Sequence, residues 1–167
     1  MREAELLPPL VHHFESRGFR AFSEVPVAGR RADLVAVSDD AILAVEVKLS
    51  RWRQALRQAI AYELWADEAY VALPFPRALA ALRHRHRFDA EGVGLLAVLD
   101  GDVRAFVPAA PSMRRFPALA DLVRRQIAPP ILPLEGFPES PPENVFMGNP
   151  SCSDGNPPAN GTRFPRG

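Results

Sequence analysis

Apolar residues near the N-terminus recur at helical spacing. Leu6, Leu7, Leu10, Val11 and Phe14 predict a helix over 3–17, with Pro8 and Pro9 tolerated only in its first turn and Gly18 ending it. Strand-like runs follow at 19–27, 30–37 and 41–48, the last two flanking the turn composition Ser38-Asp39-Asp40-Ala41. Ser50 reads as the N-cap of a helix to about Ala66. A strand at 68–73, a helix at 76–87, strands at 92–99 and 103–107 around Asp100-Gly101-Asp102, and a helix at 114–126 complete the pattern. This order predicts an α/β fold, a central mixed β-sheet flanked by helices.

From Pro129 the character changes. Ten of the 18 prolines fall in 129–167, with Gly, Asn and Ser and little periodicity, so residues 1–128 are expected to form the domain and 129–167 a disordered or extended tail. No apolar run is long enough to suggest a membrane span or a signal peptide. Cys152 is the single cysteine, which excludes an internal disulfide and fits a reducing cytoplasm.

Net charge is zero, so there is no global signature of nucleic-acid binding. Locally the picture differs: basic residues cluster at Arg30-Arg31, at Arg51, Arg53 and Arg57, and from Arg83 to Arg87. His84 and His86, two apart on the expected helix, do not face one another, so a solvated helix face suits 83–87 best, ahead of a phosphate track and of a zinc site. Lys48 is the one lysine in a chain that otherwise uses arginine. A lysine offers a compact ammonium with a tunable pKa, which arginine does not.

The hairpin places Lys48 next to two acids. With Asp39-Asp40 as a two-residue loop, Asp33 lies opposite Glu46 and Arg31 opposite Lys48, and alternation puts Glu46 and Lys48 on one face. The neighbouring residues, Leu34-Val35-Ala36-Val37 and Ile42-Leu43-Ala44-Val45, are apolar on both faces, so charge there needs a reason. Opposed carboxylates are destabilising unless compensated, and Mg²⁺ or Mn²⁺ is a natural compensation. Such a cation acidifies water, which can then attack a phosphodiester, while an adjacent lysine orients the water or stabilises developing charge.

These residues resemble the PD-(D/E)XK nuclease superfamily. Asp33 within Arg31-Ala32-Asp33-Leu34-Val35 is similar to the first acid of the motif, with Ala32 where the family pattern carries proline or its equivalent, and Glu46-Val47-Lys48 is similar to the (D/E)-x-K element. Gln58-Ala59-Ile60-Ala61-Tyr62 resembles the Gln-x-x-x-Tyr motif of RecB-like nucleases. The resemblance covers roughly residues 3–75 and implies a restriction-endonuclease-like core acting on DNA in repair, recombination, restriction or mobile-element defence. It implies that Asp33, Glu46 and the Val47 carbonyl bind Mg²⁺ or Mn²⁺, that Lys48 is catalytic, and that Gln58 lies near the site with Gln54 and Tyr62 on the same helical face. Members often add a first-helix glutamate; Glu5 is the first candidate, Glu3 the second, and Glu24 on the first strand the third. Arg31, Arg51 and Tyr62 are the candidate nucleic-acid contacts, and a homodimer is compatible with relatives that cut both strands. Two other readings stand beside this one: a catalytically silent module of the same fold that binds nucleic acid or protein, and a small α/β protein unrelated to nucleases.

Overall fold

The computed structural model describes residues 2–127, which lie in one compact unit spanning Met1–Ile131; the tail expected from Pro129 lies outside the described residues. The first helix is divided. Glu3–Leu6 is a 3₁₀ turn and α1 is Leu7–Glu15, because Pro8 and Pro9 sit at the first helical positions and define where regular α-geometry begins. Six strands follow in sequence: β1 (Arg20–Val27), β2 (Arg30–Val37), β3 (Ile42–Val47), β4 (Glu68–Pro74), β5 (Gly94–Leu99) and β6 (Asp102–Val107). Between and after them run α2 (Trp52–Tyr62), α3 (Phe75–Leu82), α4 (Arg85–Glu91) and α5 (Pro117–Ile127).

The strands form one mixed sheet in the order β1-β2-β3-β4-β5-β6. The β1–β2–β3 meander and the β5–β6 hairpin are antiparallel, whereas β3–β4 and β4–β5 are parallel and are connected through α2 and through α3–α4. Hairpin chemistry sets the ends. Ala28-Gly29 and Asp100-Gly101 both have positive φ at the two loop positions, the geometry that matches the twist of paired strands. At the β2–β3 turn the Ser38 amide donates to the Ala41 carbonyl (2.9 Å) and the Ala41 amide to Ser38 Oγ (3.1 Å), so Leu34 pairs with Val45 and Val35 with Ala44, the register expected for a two-residue loop.

Alternation divides the core. Val35, Val37, Ile42 and Ala44 face the layer built from α2, α3, α4 and α5, which buries Ala55, Ala59, Tyr62, Ala78, Phe88 and Ala120. Leu34, Ala36, Leu43, Val45 and Val47 face α1, which contributes Leu10 and Phe14. Among the described residues no helix is long and apolar enough to cross a membrane.

Three boundaries differ from expectation. Ser50 does not cap α2 through its side chain: Arg51 is the cap residue, and the Trp52 amide donates to the Ser50 carbonyl at 3.0 Å. That helix ends at Tyr62 instead of Ala66, in a turn closed by the Trp65 and Ala66 amides on the Tyr62 carbonyl. The single helix expected over 76–87 is two helices, interrupted at Arg83-His84, where His84 leaves helical geometry (φ −112°, ψ 27°). The run 83–87 carries no apolar residue, so periodicity is silent where the break falls.

One buried acid lies away from this layer boundary. Glu63, just after α2, is almost wholly buried, with Arg114 Nη1 3.2 Å from its carboxylate and Ser112 Oγ donating to its carbonyl at 2.7 Å. Burial raises its pKa, the charge of Glu91 adds to that, and Arg114 offsets part. The folded state therefore holds the Glu63 proton more tightly than the unfolded chain, and this group's contribution to stability declines as pH rises through the raised value. Glu63→Gln should remove that slope. The stability of the variant relative to the natural chain, read from urea unfolding, should increase between about pH 4 and pH 7. A constant difference across that range would show that Arg114 fully compensates the charge.

Candidate active site

Regular pairing breaks at Asp33 on both sides. Toward β1 the ladder passes from Ser23–Leu34 to Val25–Ala32 and omits Glu24, which adopts φ 54°, a left-handed conformation unfavourable for an L-residue with a side chain. Toward β3 the ladder stops at Leu34–Val45, and the Val47 amide donates instead to Asp33 Oδ2 at 2.7 Å. A strand irregularity of this kind re-aims side chains. Here Ala32 joins the same core layer as Val35, which strict alternation forbids, and the Asp33 carboxylate takes a main-chain partner at the end of β3.

The hairpin register carries Glu46 to the same place. Glu46 is 1% exposed and is flanked on its strand by Val45 and Val47, which face the opposite layer. Tyr62, in the last turn of α2, donates its hydroxyl proton to Glu46 Oε2, and the Arg31 carbonyl lies 3.2 Å from the same hydroxyl. Lys48 follows β3 and stays in the sheet through its amide, which donates to the Ala72 carbonyl of β4 at 3.1 Å.

The Lys48 ammonium is ringed by oxygen. It lies 2.8 Å from Glu46 Oε1, 2.9 Å from the Val47 carbonyl, 3.5 Å from Glu3 Oε2 and 3.7 Å from Asp33 Oδ2. Burial works to lower the Lys48 pKa, but the hydrogen bond to Glu46 and the charges of Glu46, Asp33 and Glu3 outweigh it, so the pKa is raised. Burial raises the Glu46 pKa, the hydrogen bonds from Lys48 and Tyr62 lower it, Asp33 raises it further, and the net direction is upward. The Tyr62 hydroxyl is also pushed up, first by burial and then by its bond to Glu46, so it is a proton donor and not a phenolate.

The glutamate of the first helical segment that reaches this ring is Glu3. Glu5, the first choice from sequence, presents its carboxylate to Arg2 at 3.4 Å. The 3₁₀ geometry supplies the reason. Residues three apart eclipse in such a turn, so Glu3 shares a row with the buried Leu6, and Glu5 shares one with Arg2. Pro8 and Pro9 restrict regular α-helix to Leu7 onward, and a helical wheel drawn from Glu3 gives the same choice, with Glu3 on the stripe of Leu7, Leu10 and Phe14 and Glu5 on the opposite side. Glu24, the third choice, is exposed and lies 3.7 Å from Arg31 Nη1.

On α2 the expected face is present. Gln54 lines a cleft of 230 Å³ with Glu3, Lys48, Leu49, Ser50 and Arg51, while Tyr62 holds Glu46 two turns later. Gln58 lies between them on that face, and its Oε1 is buried without a hydrogen-bond partner among the described residues. An orphaned acceptor of this kind carries a desolvation cost unless a donor or a cation meets it. Arg51 is exposed at the rim of the cleft.

The donor set suits a hard divalent cation. Three carboxylates surround one ammonium, so the cluster carries more negative charge than Lys48 neutralises, and every ligand atom is oxygen. Among the described residues no three acidic, His or Cys side chains are already drawn together at metal-ligand spacing; the oxygens are instead spread around Lys48 Nζ, whose positive charge stands where a cation would.

No protein-family model matches the chain, and no curated protein does. Among solved structures, the chain is similar to the SPO1766 protein of unknown function from Silicibacter pomeroyi, with a TM-score of 0.57 and 24% identity over 77% of this chain and 85% of that one. This likeness shows the fold alone: an α/β architecture with a mixed six-stranded sheet flanked by helices. A repair endonuclease from Pyrococcus abyssi is similar at a TM-score of 0.41 and 15% identity, over 59% of this chain and 47% of that one, a likeness too slight to bear on function.

Among the described residues the Tyr62 hydroxyl is the one side-chain donor besides Lys48 that holds the Glu46 carboxylate. Tyr62→Phe should keep the fold but lower stability by about 1.5–3 kcal/mol, the usual worth of a buried hydrogen bond to a charged group. Urea unfolding measures this, and an unchanged midpoint would show that Glu46 finds another donor.

Proposed function

We propose that the protein is a metal-dependent nuclease of the PD-(D/E)XK kind that hydrolyses DNA phosphodiester bonds. The observation that carries this reading is the convergence of Asp33, Glu46, the Val47 carbonyl and Glu3 on the Lys48 ammonium at the C-terminal end of β3, beside a cleft that Glu3 and Lys48 line. The ends of parallel strands are where open α/β sheets place ligand sites.

Asp33, Glu46 and the Val47 carbonyl would hold Mg²⁺ or Mn²⁺, with Glu3 completing the acidic wall. When bound, the cation supplies Lewis acidity toward the phosphate and acidifies water. The remaining roles belong to the chain. Tyr62 fixes the orientation of Glu46, the Asp33–Val47 hydrogen bond fixes the peptide between Glu46 and Val47, and the Lys48 amide, donating to the Ala72 carbonyl, fixes the peptide that carries the Val47 carbonyl. Lys48, released from its carboxylates, presents a compact positive charge to the phosphate oxygens as negative charge develops. Gln58 offers its unpaired Oε1 to a donor in the cleft, and Arg51 at the rim meets a neighbouring phosphate, with Arg31 on the hairpin as a second contact.

Incubation with plasmid and single-stranded DNA in Mg²⁺ or Mn²⁺ should give cleavage that EDTA abolishes. Lys48→Arg should keep the fold and lose about 10²–10³-fold in rate, because a planar guanidinium does not reproduce a compact ammonium beside the phosphate. Asp33→Asn should also lose activity, with partial recovery in excess Mn²⁺ that Lys48→Arg does not share. Equal cleavage by Lys48→Arg would remove the lysine from the mechanism. No cleavage by the natural chain with any divalent metal would favour the silent binding module.

A further inference from the structure

Two arginine clusters some thirty residues apart in sequence line one groove. It has a volume of 430 Å³, lies between α2 and α4, and is lined by Trp52, Arg53, Arg57, His86, Arg87 and Glu91 with smaller apolar residues beneath. The helix break at Arg83-His84 sets α4 apart from α3 and turns His86 and Arg87 toward α2. None of Arg53, Arg57 and Arg87 has a carboxylate within ion-pair distance among the described residues. The one acid of the groove, Glu91, is already engaged by Arg114 Nη2 at 3.3 Å.

The groove is also pre-oriented. Trp52 is 9% exposed and held on one side by the His84 ring, stacked at 5.0 Å, and by Phe88 at 5.7 Å. The Arg53 guanidinium rests over the Trp52 ring at 4.4 Å, which restricts its freedom while leaving its N–H donors available. Converging arginines without acids repel one another, and a polyanion relieves that repulsion. Residues 52 to 60 of α2 span about 12 Å, a length that accommodates about three nucleotide steps at ~3.4 Å each.

We propose that this groove binds the sugar-phosphate backbone of a DNA strand as it leaves the cleft lined by Glu3 and Lys48. The N-terminal turn of α2 joins the two: Arg51 and Gln54 line the cleft, and Trp52 and Arg53, interleaved with them, line the groove. The identity of the strand as DNA rests on the nuclease reading; the anionic character of the ligand rests on the groove itself.

The test is the anisotropy of a fluorescein-labelled 20-nucleotide single-stranded DNA, titrated with the full chain in EDTA over a series of salt concentrations. The natural chain should bind with an affinity that declines steeply with salt. Arg53→Ala/Arg57→Ala/Arg87→Ala should bind at least about tenfold more weakly, with a log–log salt slope shallower by about 2, as loss of three phosphate contacts on a single strand requires. The triple Arg→Lys variant, which keeps the charge and guards against a mere folding defect, should retain most of the slope. Binding by the alanine variant with unchanged affinity and slope, or no binding by the natural chain, would overturn the proposal. Cleavage on the same preparations separates the two readings. A chain that cleaves DNA but binds it independently of the three arginines keeps the nuclease reading and loses the groove. A chain that binds through them but cleaves with no metal keeps the groove and loses the nuclease.

Discussion

The arrangement depends on a buried carboxylate that the chain cannot leave uncompensated. Glu46 sits in the middle of an apolar sheet, and its two oxygens are taken by Lys48 on one side and Tyr62 on the other. Removing one partner of a buried charge costs far more than the pair contributes, so the three residues constrain one another. Tyr62 ties the end of α2 to β3, and Lys48 draws in Asp33 from β2 and Glu3 from the N-terminal turn. Three stretches of chain therefore meet around one ammonium, and a fourth, α2, joins them through Tyr62 and Glu46. Burial raises the pKa of Glu46 against the pull of its two donors.

Much of this was legible in the sequence because local rules and the tertiary fold agree. A two-residue loop at Asp39-Asp40 fixes the β2–β3 register, and period-two alternation then places Asp33, Glu46 and Lys48 together. The Asp100-Gly101 turn and the proline start of α1 follow from residue chemistry in the same way, whereas positive φ at Ala28 does not. What was illegible depends on non-local events. The ladder break at Glu24 and Asp33 lets the Asp33 carboxylate take the Val47 amide, and no propensity marks it. The choice of Glu3 over Glu5 was, by contrast, open to spacing alone, since helical periodicity puts Glu3 on the stripe of Leu7, Leu10 and Phe14 and Glu5 opposite. The break between α3 and α4 falls in a run without apolar residues, where the period carries no information.

The zero net charge of the chain conceals a local polarity. An acidic ring and an arginine groove lie on adjacent faces of the first turn of α2, one suited to a cation and the other to a phosphate chain. A nuclease needs both, since a cleft of carboxylates alone repels its substrate. The use of arginine throughout and lysine at position 48 fits the same division: planar donors on the track, a compact ammonium at the centre.

The central claim is that the oxygens around Lys48 form a divalent-cation site. A crystal structure of the full chain grown with Mn²⁺, with anomalous data collected, tests it directly. The account predicts an anomalous peak bonded at about 2.0–2.2 Å to oxygens of Asp33 and Glu46 and to the Val47 carbonyl, with the Lys48 ammonium displaced from its present position. Data from Mn²⁺-saturated crystals with no peak at that position, and Lys48 still held by Glu46 and Asp33, would contradict it.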